Sequence, residues 1–326
     1  MAALAPWTRE EAGFLAVTPR ARDAAKVPGS APAGGPIAGQ AGGLLAAGPV
    51  LTWRGKAPAI PGPGAGVPED APGGPAFLLA CRDCASTQDL AFALLAAGVL
   101  PEWGGVAAAV QSAGRGQLRR AWVSGPGNLH LSVRWPLPTG EHAAFNPLFT
   151  LVVGAALAEA LGQALEPPEG AFQLKWPNDV LWNGRKVGGV LVEERGGVAV
   201  VGMGLNLASA PPESALREGH AMPAASFRDI GPAGGREPTP LALSWALVQR
   251  MQMTYRNTLR QTNPENFLKS LSRRMAWMGR EAILDQGRER VRGTLVGLAP
   301  DGGLILQTGE GTKVFHTGSV TPVERA

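Results

Sequence analysis

Two short stretches concentrate side chains suited to an anionic ligand. One is Lys175-Trp176-Pro177-Asn178-Asp179-Val180, followed by Lys186 within Gly184-Arg185-Lys186-Val187-Gly188-Gly189. The other lies upstream, Gly114-Arg115-Gly116-Gln117-Leu118-Arg119-Arg120. Glycines let the backbone approach a ligand closely, and an arginine beside them can fork onto phosphate or carboxylate oxygens. Two lysines flanking a hairpin point ammonium groups at an anion from a rigid support. Together the stretches indicate chemistry on a phosphate-containing small molecule. Each also has a plainer reading. The arginine loop could be solvated surface, and Lys175 could blunt a strand edge. Asn178-Asp179 could be a turn after Pro177, or could hold a magnesium ion or orient a lysine. The arginine loop is not a dinucleotide fingerprint, because position 119 is arginine and no helical pattern follows.

Other candidate groups carry less. Cys81-Arg82-Asp83-Cys84 is a lone C-x-x-C without two further ligands at zinc spacing, and it does not open a helix near a βαβ unit as a redox pair would. Two partly buried thiols are expected. The 4 histidines show no nucleophile–base arrangement, and His130 reads as a structural residue within its strand. Only 2 cysteines argue against a disulfide framework and for a reducing compartment, the cytoplasm. The charge of +4 and pI near 9.4 invite a nucleic-acid reading, but the basic residues are scattered or sit in the two loops and around Arg273 and Arg274. A phosphate pocket and an acidic protein partner account for the same charge. The acidic start (Glu10, Glu11) does not support a secretory signal, and no run of about 18 apolar residues suggests a membrane span.

These groups need a scaffold, and 326 residues with 45% apolar content admit about two domains. Residues 1–74 are Ala/Gly/Pro-rich and are expected to be a largely irregular extension, with Val50–Trp53 as a short apolar piece. No helix–turn–helix pattern appears there. From Phe77 the pattern turns regular. A strand at 77–80 precedes a helix capped by Ser86, with Asp89 completing a capping box and Gly98 closing it. Strands follow at 106–110 and 128–135, then a long helix from about Asn146 with Leu148, Leu151, Val152, Leu161 and Leu165 on one side. A meander comes next, with strands at 172–176, 180–182, 187–193 and 198–207 and a two-residue hairpin at Asn183-Gly184. Such short turns make antiparallel pairs, not a doubly wound dinucleotide fold. Helices start at Pro240 and Pro264, the second reaching about Met278. Short strands at 281–285, 290–298, 303–308 and 313–320 predict a small β-barrel.

These motifs closely resemble those of biotin protein ligases, over about residues 77 to 326. Ser86-Thr87-Gln88 at a helix start, Gln111 through Trp122, and Lys175 to Glu193 fall in family order, followed by Gly202-Met203-Gly204-Leu205-Asn206. The resemblance implies an α+β fold: a mixed, mainly antiparallel sheet with helices, of the class II synthetase and biotin–lipoate ligase type, plus a small C-terminal SH3-like β-barrel. It divides the chain into the extension 1–74, a catalytic domain 75–278 and the barrel 279–326. It implies an ATP-dependent ligase that forms biotinyl-5′-adenylate and transfers biotin to a lysine of the biotin carboxyl carrier protein of acetyl-CoA carboxylase. Biotin, ATP and Mg2+ are then the substrates and ion, with no tightly bound metal. Arg115 and Lys186 are the implied catalytic residues. Ser86, Thr87, Gln88, Gln111, Gly114, Arg115, Gly116, Gln117 and Lys186 would bind biotin or the adenylate. Arg119, Arg120, Trp122, Lys175, Asn178, Asp179 and Asn206 are weaker candidates for nucleotide or magnesium.

Three positions depart from the family pattern. Position 88 is Gln where Asn is frequent, Gln117 stands where well-known members often carry arginine, and Arg119 where glycine is usual. The loss of a cation at 117 predicts faster adenylate leakage, which Arg119 or Arg120 could offset. Without a helix–turn–helix, a ligase with no repressor role is expected, acting on neither DNA nor membrane. Family members often pair through the catalytic sheet, so a homodimer is among the expectations. The rivals are lipoate or octanoate transfer on the same fold, a biotin-sensing DNA regulator, and a catalytically dead homologue.

Overall fold

The computed structural model describes residues 16–17, 50–53, 78–117, 120–123, 125–165, 170–212, 223–230, 239–287 and 289–323. Most of 1–74, Leu118 and Arg119 therefore lie outside the described residues. Two compact units emerge, one of residues 1–136, 191–209 and 231–249, the other of 137–190, 210–230 and 250–326.

In the first unit lie β1 (Ala16–Val17), β2 (Val50–Trp53), β3 (Leu78–Cys84), α1 (Thr87–Ala96), β4 (Gly105–Gln111) and β5 (Leu129–Trp135). The strands run in the order β1-β2-β3-β4-β5, and β9 (Val198–Leu205) follows β5. β3 and β4 are parallel because α1 crosses between them, whereas β2–β3, β4–β5 and β5–β9 are antiparallel. Leu78 to Cys81 and Gly105 to Ala109 are buried without a break, as in strands covered on both faces. Helix α1 lays Leu90, Ala91, Phe92 and Leu94 against Leu79, Cys81, Val106, Ala108 and Val200. Each large apolar side chain so buried contributes about 1.5–3 kcal/mol. Gly98 ends the helix at φ +68, and the Val99 N–H returns to Leu94 O at 2.9 Å.

The second unit contains a 3-10 segment (Gly140–Leu148), α2 (Phe149–Leu165), β6 (Phe172–Lys175), β7 (Asp179–Trp182) and α3 (Phe227–Ile230). It also contains α5 (Pro264–Ser272). Strand β8 (Arg185–Arg195) begins in this unit and ends in the first, and α4 (Pro240–Gln261) begins in the first and ends here. The long helix starts at Phe149 rather than Asn146, since Pro147 sits in the tighter 3-10 segment. Residues 140–165 are long and apolar enough to match a membrane span, contrary to the expectation from the sequence, but most of that stretch is buried, and it is a core helix. Asn183 and Gly184 take φ +46 and +78, the two left-handed positions of the expected hairpin turn. Leu174 on β6 accepts from Ala276 N at 2.7 Å and donates to Arg274 O at 3.0 Å. Residues 274–276 thus cover the β6 edge, so α5 stops at Ser272 rather than near Met278.

The chain closes with β10 (Glu281–Asp285), β11 (Arg290–Leu298), β12 (Leu304–Thr308), β13 (Gly311–Phe315) and β14 (Ser319–Pro322). Among the described residues they form a five-stranded antiparallel sheet in the order β13-β12-β11-β10-β14. Ala282, Leu284, Leu295, Leu304, Leu306 and Val320 fill its interior. The expected strand 313–320 is two strands, broken where Gly318 takes φ +134. The fold is α+β with mixed, mainly antiparallel pairing, as expected.

Candidate active site

In the first unit the N-terminus of α1 meets β4, β5 and β9. Ser86 is buried in extended conformation at the cap position, but its side chain makes no capping hydrogen bond among the described residues. The capping box predicted from Ser86 and Asp89 is absent, because Asp89 is taken by Arg115. Gln111 Oε1 accepts from Thr87 N at 2.8 Å and from Thr87 Oγ1 at 3.1 Å. Thr87 Oγ1 lies 2.9 Å from Ser132 Oγ, which donates to Gln88 Oε1 at 3.0 Å. Gln88 Nε2 donates to Val200 O at 3.0 Å. Thr87, Gln88, Gln111 and Ser132 are thus joined in one network that fixes their rotamers. The longer amide at position 88 has room because Gly202 faces it: a Cβ at 202 would stand 2.7 Å from Gln88 Oε1. Ser132 was not among the predicted site residues; its signal is a polar position on the strand face opposite Leu129, Leu131 and Val133.

The arginine loop folds back on itself. Gly116 N donates to Arg120 O and Trp122 N to Gly114 O, both at 2.8 Å, and Arg115 bridges Ala121. Gly114, Arg115, Gly116, Gln117, Arg120 and Trp122 are therefore brought together, while Arg119 lies outside the described residues. The Trp122 indole covers Gly204, where a Cβ would collide with it. Arg115 is about one-third exposed, and its Nη2 donates to Asp89 Oδ1 at 2.7 Å and Glu193 Oε2 at 3.0 Å. These two carboxylates fix the orientation of the guanidinium. Asn206 is buried just beyond β9.

In the second unit the lysine hairpin carries a buried charge cluster. Lys175 Nζ donates to Asp179 Oδ2 at 2.9 Å, and Lys186 Nζ contacts Asp179 Oδ1 at 2.6 Å. Burial alone would raise the Asp179 carboxyl, but Lys175 and Lys186 outweigh it and hold the group well below the usual carboxylate range. Two ammoniums and one carboxylate leave the cluster one net positive charge. Lys175 and Asp179 are buried, while the Lys186 side chain is 29% exposed, so Lys186 is the most exposed member of the cluster. Asn178 braces the turn: its Nδ2 donates to Val190 O at 2.6 Å, and its own carbonyl accepts from Val190 N at 2.9 Å. Gly189 pairs with Asp179 across the hairpin, where a Cβ would stand 3.3 Å from Asp179 Oδ1. Asp179 does not fit a magnesium ligand in this arrangement, since each of its oxygens already holds an ammonium. Among the described residues no cluster of three His, Cys, Asp or Glu side chains could hold a metal.

The remaining candidates are structural. Cys81 and Cys84 are fully buried rather than partly so, and the Cys81 thiol donates to Ala107 O at 3.5 Å. A hydrogen bond with Cys84 and burial push the Cys81 thiol far up, away from reactive thiolate. His130 is buried with Nδ1 3.3 Å from Ala108 O, and burial pulls its value down to about 4.

The sequence matches the pattern of the biotin/lipoate A/B protein ligase family over residues 80–207. Residues 279–321 match that of the biotin protein ligase C terminal domain. The chain is 33% identical over 228 residues to a biotin–[acetyl-CoA-carboxylase] ligase of Paracoccus denitrificans, covering 66% of this chain and 88% of that protein. Its structure resembles biotin protein ligase from Aquifex aeolicus in complex with biotin and ATP, with TM-score 0.60, 29% identity, and coverage of 75% of this chain and 97% of that one. It also resembles biotin protein ligase from Leishmania major in complex with biotinyl-5-AMP, with TM-score 0.51, 26% identity, and coverage of 74% and 97%.

Proposed function

We propose that this chain, which belongs to the biotin protein ligase family and is a ligase, attaches biotin to the biotin carboxyl carrier protein of acetyl-CoA carboxylase in two steps. In the first, a biotin carboxylate oxygen attacks the α-phosphorus of magnesium-bound ATP, and the bond to the bridging oxygen breaks to release pyrophosphate. In the second, a carrier lysine amine attacks the acyl carbon of biotinyl-5′-adenylate. AMP leaves with the bonding electrons, and the nitrogen loses its proton to water. An amine that is neutral at the moment of attack needs no elaborate base.

The barrier in the first step is the approach of two anions, so fixed positive charge is the main requirement. Lys186 meets the reacting carboxylate, and Arg115 exchanges Asp89 and Glu193 for adenylate oxygens. Gly114, Gly116 and Gln117 let the loop backbone wrap the same ligand. Ser86, with the networked Thr87, Gln88 and Gln111, forms the polar wall for the ureido ring of biotin. Trp122 over Gly204 gives an apolar wall, and Arg119, Arg120, Asn178 and Asn206 have secondary roles toward the nucleotide. The proposed organisation is a catalytic domain at 75–278 and a barrel at 279–326 behind the 1–74 extension. The proposed setting is the cytoplasm, with a carrier protein rather than DNA or a membrane as partner.

One observation carries this reading: Lys186 is tethered at 2.6 Å to a carboxylate that Lys175 also neutralises. That cluster retains positive charge where a simple ion pair would not. Exchange of labelled pyrophosphate into ATP, with biotin, lipoate or octanoate supplied separately, tests it. Exchange with biotin alone is expected. Exchange only with lipoate or octanoate would move the protein to fatty-acid transfer, and none with any acid would leave a binding role.

A further inference from the structure

We propose that Lys175 is a positioning residue acting through Asp179: its buried ammonium neutralises one carboxylate oxygen, so that the other can tether Lys186 without cancelling the charge Lys186 offers an anion. The inference rests on the proposed adenylation for its kinetic readout, though not for its binding readout.

Any catalytic lysine faces two conflicting demands. Its four-carbon stem is flexible, and holding the ammonium in one place favours a carboxylate partner. A carboxylate 2.6 Å away, however, makes a neutral pair whose field falls off steeply at the ligand. The hairpin resolves the conflict by alternation. Lys175 and Asp179 face each other across the β6–β7 ladder, and Asp179 faces Gly189 across β7–β8. Gly189 leaves open the space beside Asp179 Oδ1, where the Lys186 ammonium sits. Lys175 takes Oδ2, and its side chain is 7% exposed, against 29% for the Lys186 side chain. The Lys175 ammonium also reaches Ser319 Oγ on β14, at 3.5 Å. Lys175 is therefore committed to protein groups, and the weaker role expected for it, direct handling of nucleotide, gives way to an indirect one.

Charge balance separates this role from simple bracing. Lys175→Met leaves Asp179 and Lys186 as a neutral pair, whereas Lys175→Met/Asp179→Asn restores the single net positive charge without the tether. Three measurements apply to wild type and both variants: biotin-dependent pyrophosphate exchange, calorimetric affinity for ATP, and the urea midpoint used to correct for folded fraction. Lys175→Met is expected to lower exchange kcat about 10–100-fold per folded molecule, with the KM for biotin changed less than about threefold. ATP affinity should fall in the same variant. The double variant should regain at least about threefold of the lost kcat and recover ATP affinity, yet remain below wild type. A double variant no better than Lys175→Met, or a loss fully explained by unfolding, would overturn the inference. If wild type binds ATP but exchanges with no acid, the proposed reaction fails while the ATP affinities still decide the charge argument. A wild type that binds no ATP overturns both.

Discussion

At position 117 a neutral glutamine occupies the loop that folds back from Gly114 to Trp122. One charged contact to a phosphate is worth about 1.5–3 kcal/mol, or roughly tenfold or more in residence time. Gln117→Arg is therefore expected to slow dissociation of biotinyl-5′-adenylate by about tenfold, read by quenched flow and chase. Wild type should lose the adenylate faster than it transfers biotin to the carrier; slower loss would refute the leakage argument. His130 gives a second residue-scale test. Its folded value is about 4 against an ordinary 6.5, because burial disfavours the charged ring. Between those values the unfolded chain binds a proton that the folded chain refuses. The contribution is therefore complete above pH 6.5 and is lost as pH falls toward 4, about 3 kcal/mol in all. In urea titrations at pH 7 and 4.5, His130→Phe should lose markedly less stability than wild type; equal losses would count against it. His130 was legible as a structural residue, but its burial depended on Ala108 and Gly204, its neighbours on adjoining strands.

At the scale of elements, what could be read and what could not divide along physical lines. Period-2 alternation marked β5, and Asn183-Gly184 marked the β7–β8 hairpin, because both are local consequences of backbone geometry. The capping box failed for a reason outside the local sequence: Arg115, 26 residues away, takes the Asp89 carboxylate. The pairing of Arg115 with Glu193 was equally hidden, since 78 residues separate them and β8 returns only in the folded sheet. Helix α5 looked longer because Met275 and Ala276 continue an apolar pattern. Their backbone instead covers the exposed edge of β6, and an unpaired edge has a stronger claim on them than one more helical turn. The candidates Arg115 and Lys186 stood out in the sequence because cationic side chains lie beside glycines within otherwise apolar strand patterns. Asp179, the partner of Lys186, was a candidate for orienting a lysine because it sits in the same hairpin. Asp89 and Glu193 gave no sign of pairing with Arg115, because a lone Asp or Glu has no periodicity to betray it.

At the scale of the whole chain, the sequence indicated a C-terminal barrel without indicating what it does for the chemistry. Within the second unit, the Trp176 indole donates to Gly302 O at 3.0 Å across 126 residues of chain. Gly302 in turn sits at φ +84 between β11 and β12, where a Cβ would press on Leu148 and Leu151 at 3.2 Å. Lys175 approaches Ser319 of the same barrel, 144 residues away. Both contacts flank the turn that carries Asn178 and Asp179 and set β14 and the β11–β12 turn beside the charge cluster. Trp176→Phe keeps the aromatic packing, removes the donor and leaves a buried carbonyl unpaired. It should cost about 1–3 kcal/mol in urea unfolding. If the barrel braces the cluster, pyrophosphate exchange per folded molecule should fall several-fold in the same variant, and Ser319→Ala should produce a smaller fall with little loss of stability. Full exchange activity in both, at conditions where each is folded, would mean that the barrel stabilises the chain without positioning Asp179 and its lysines.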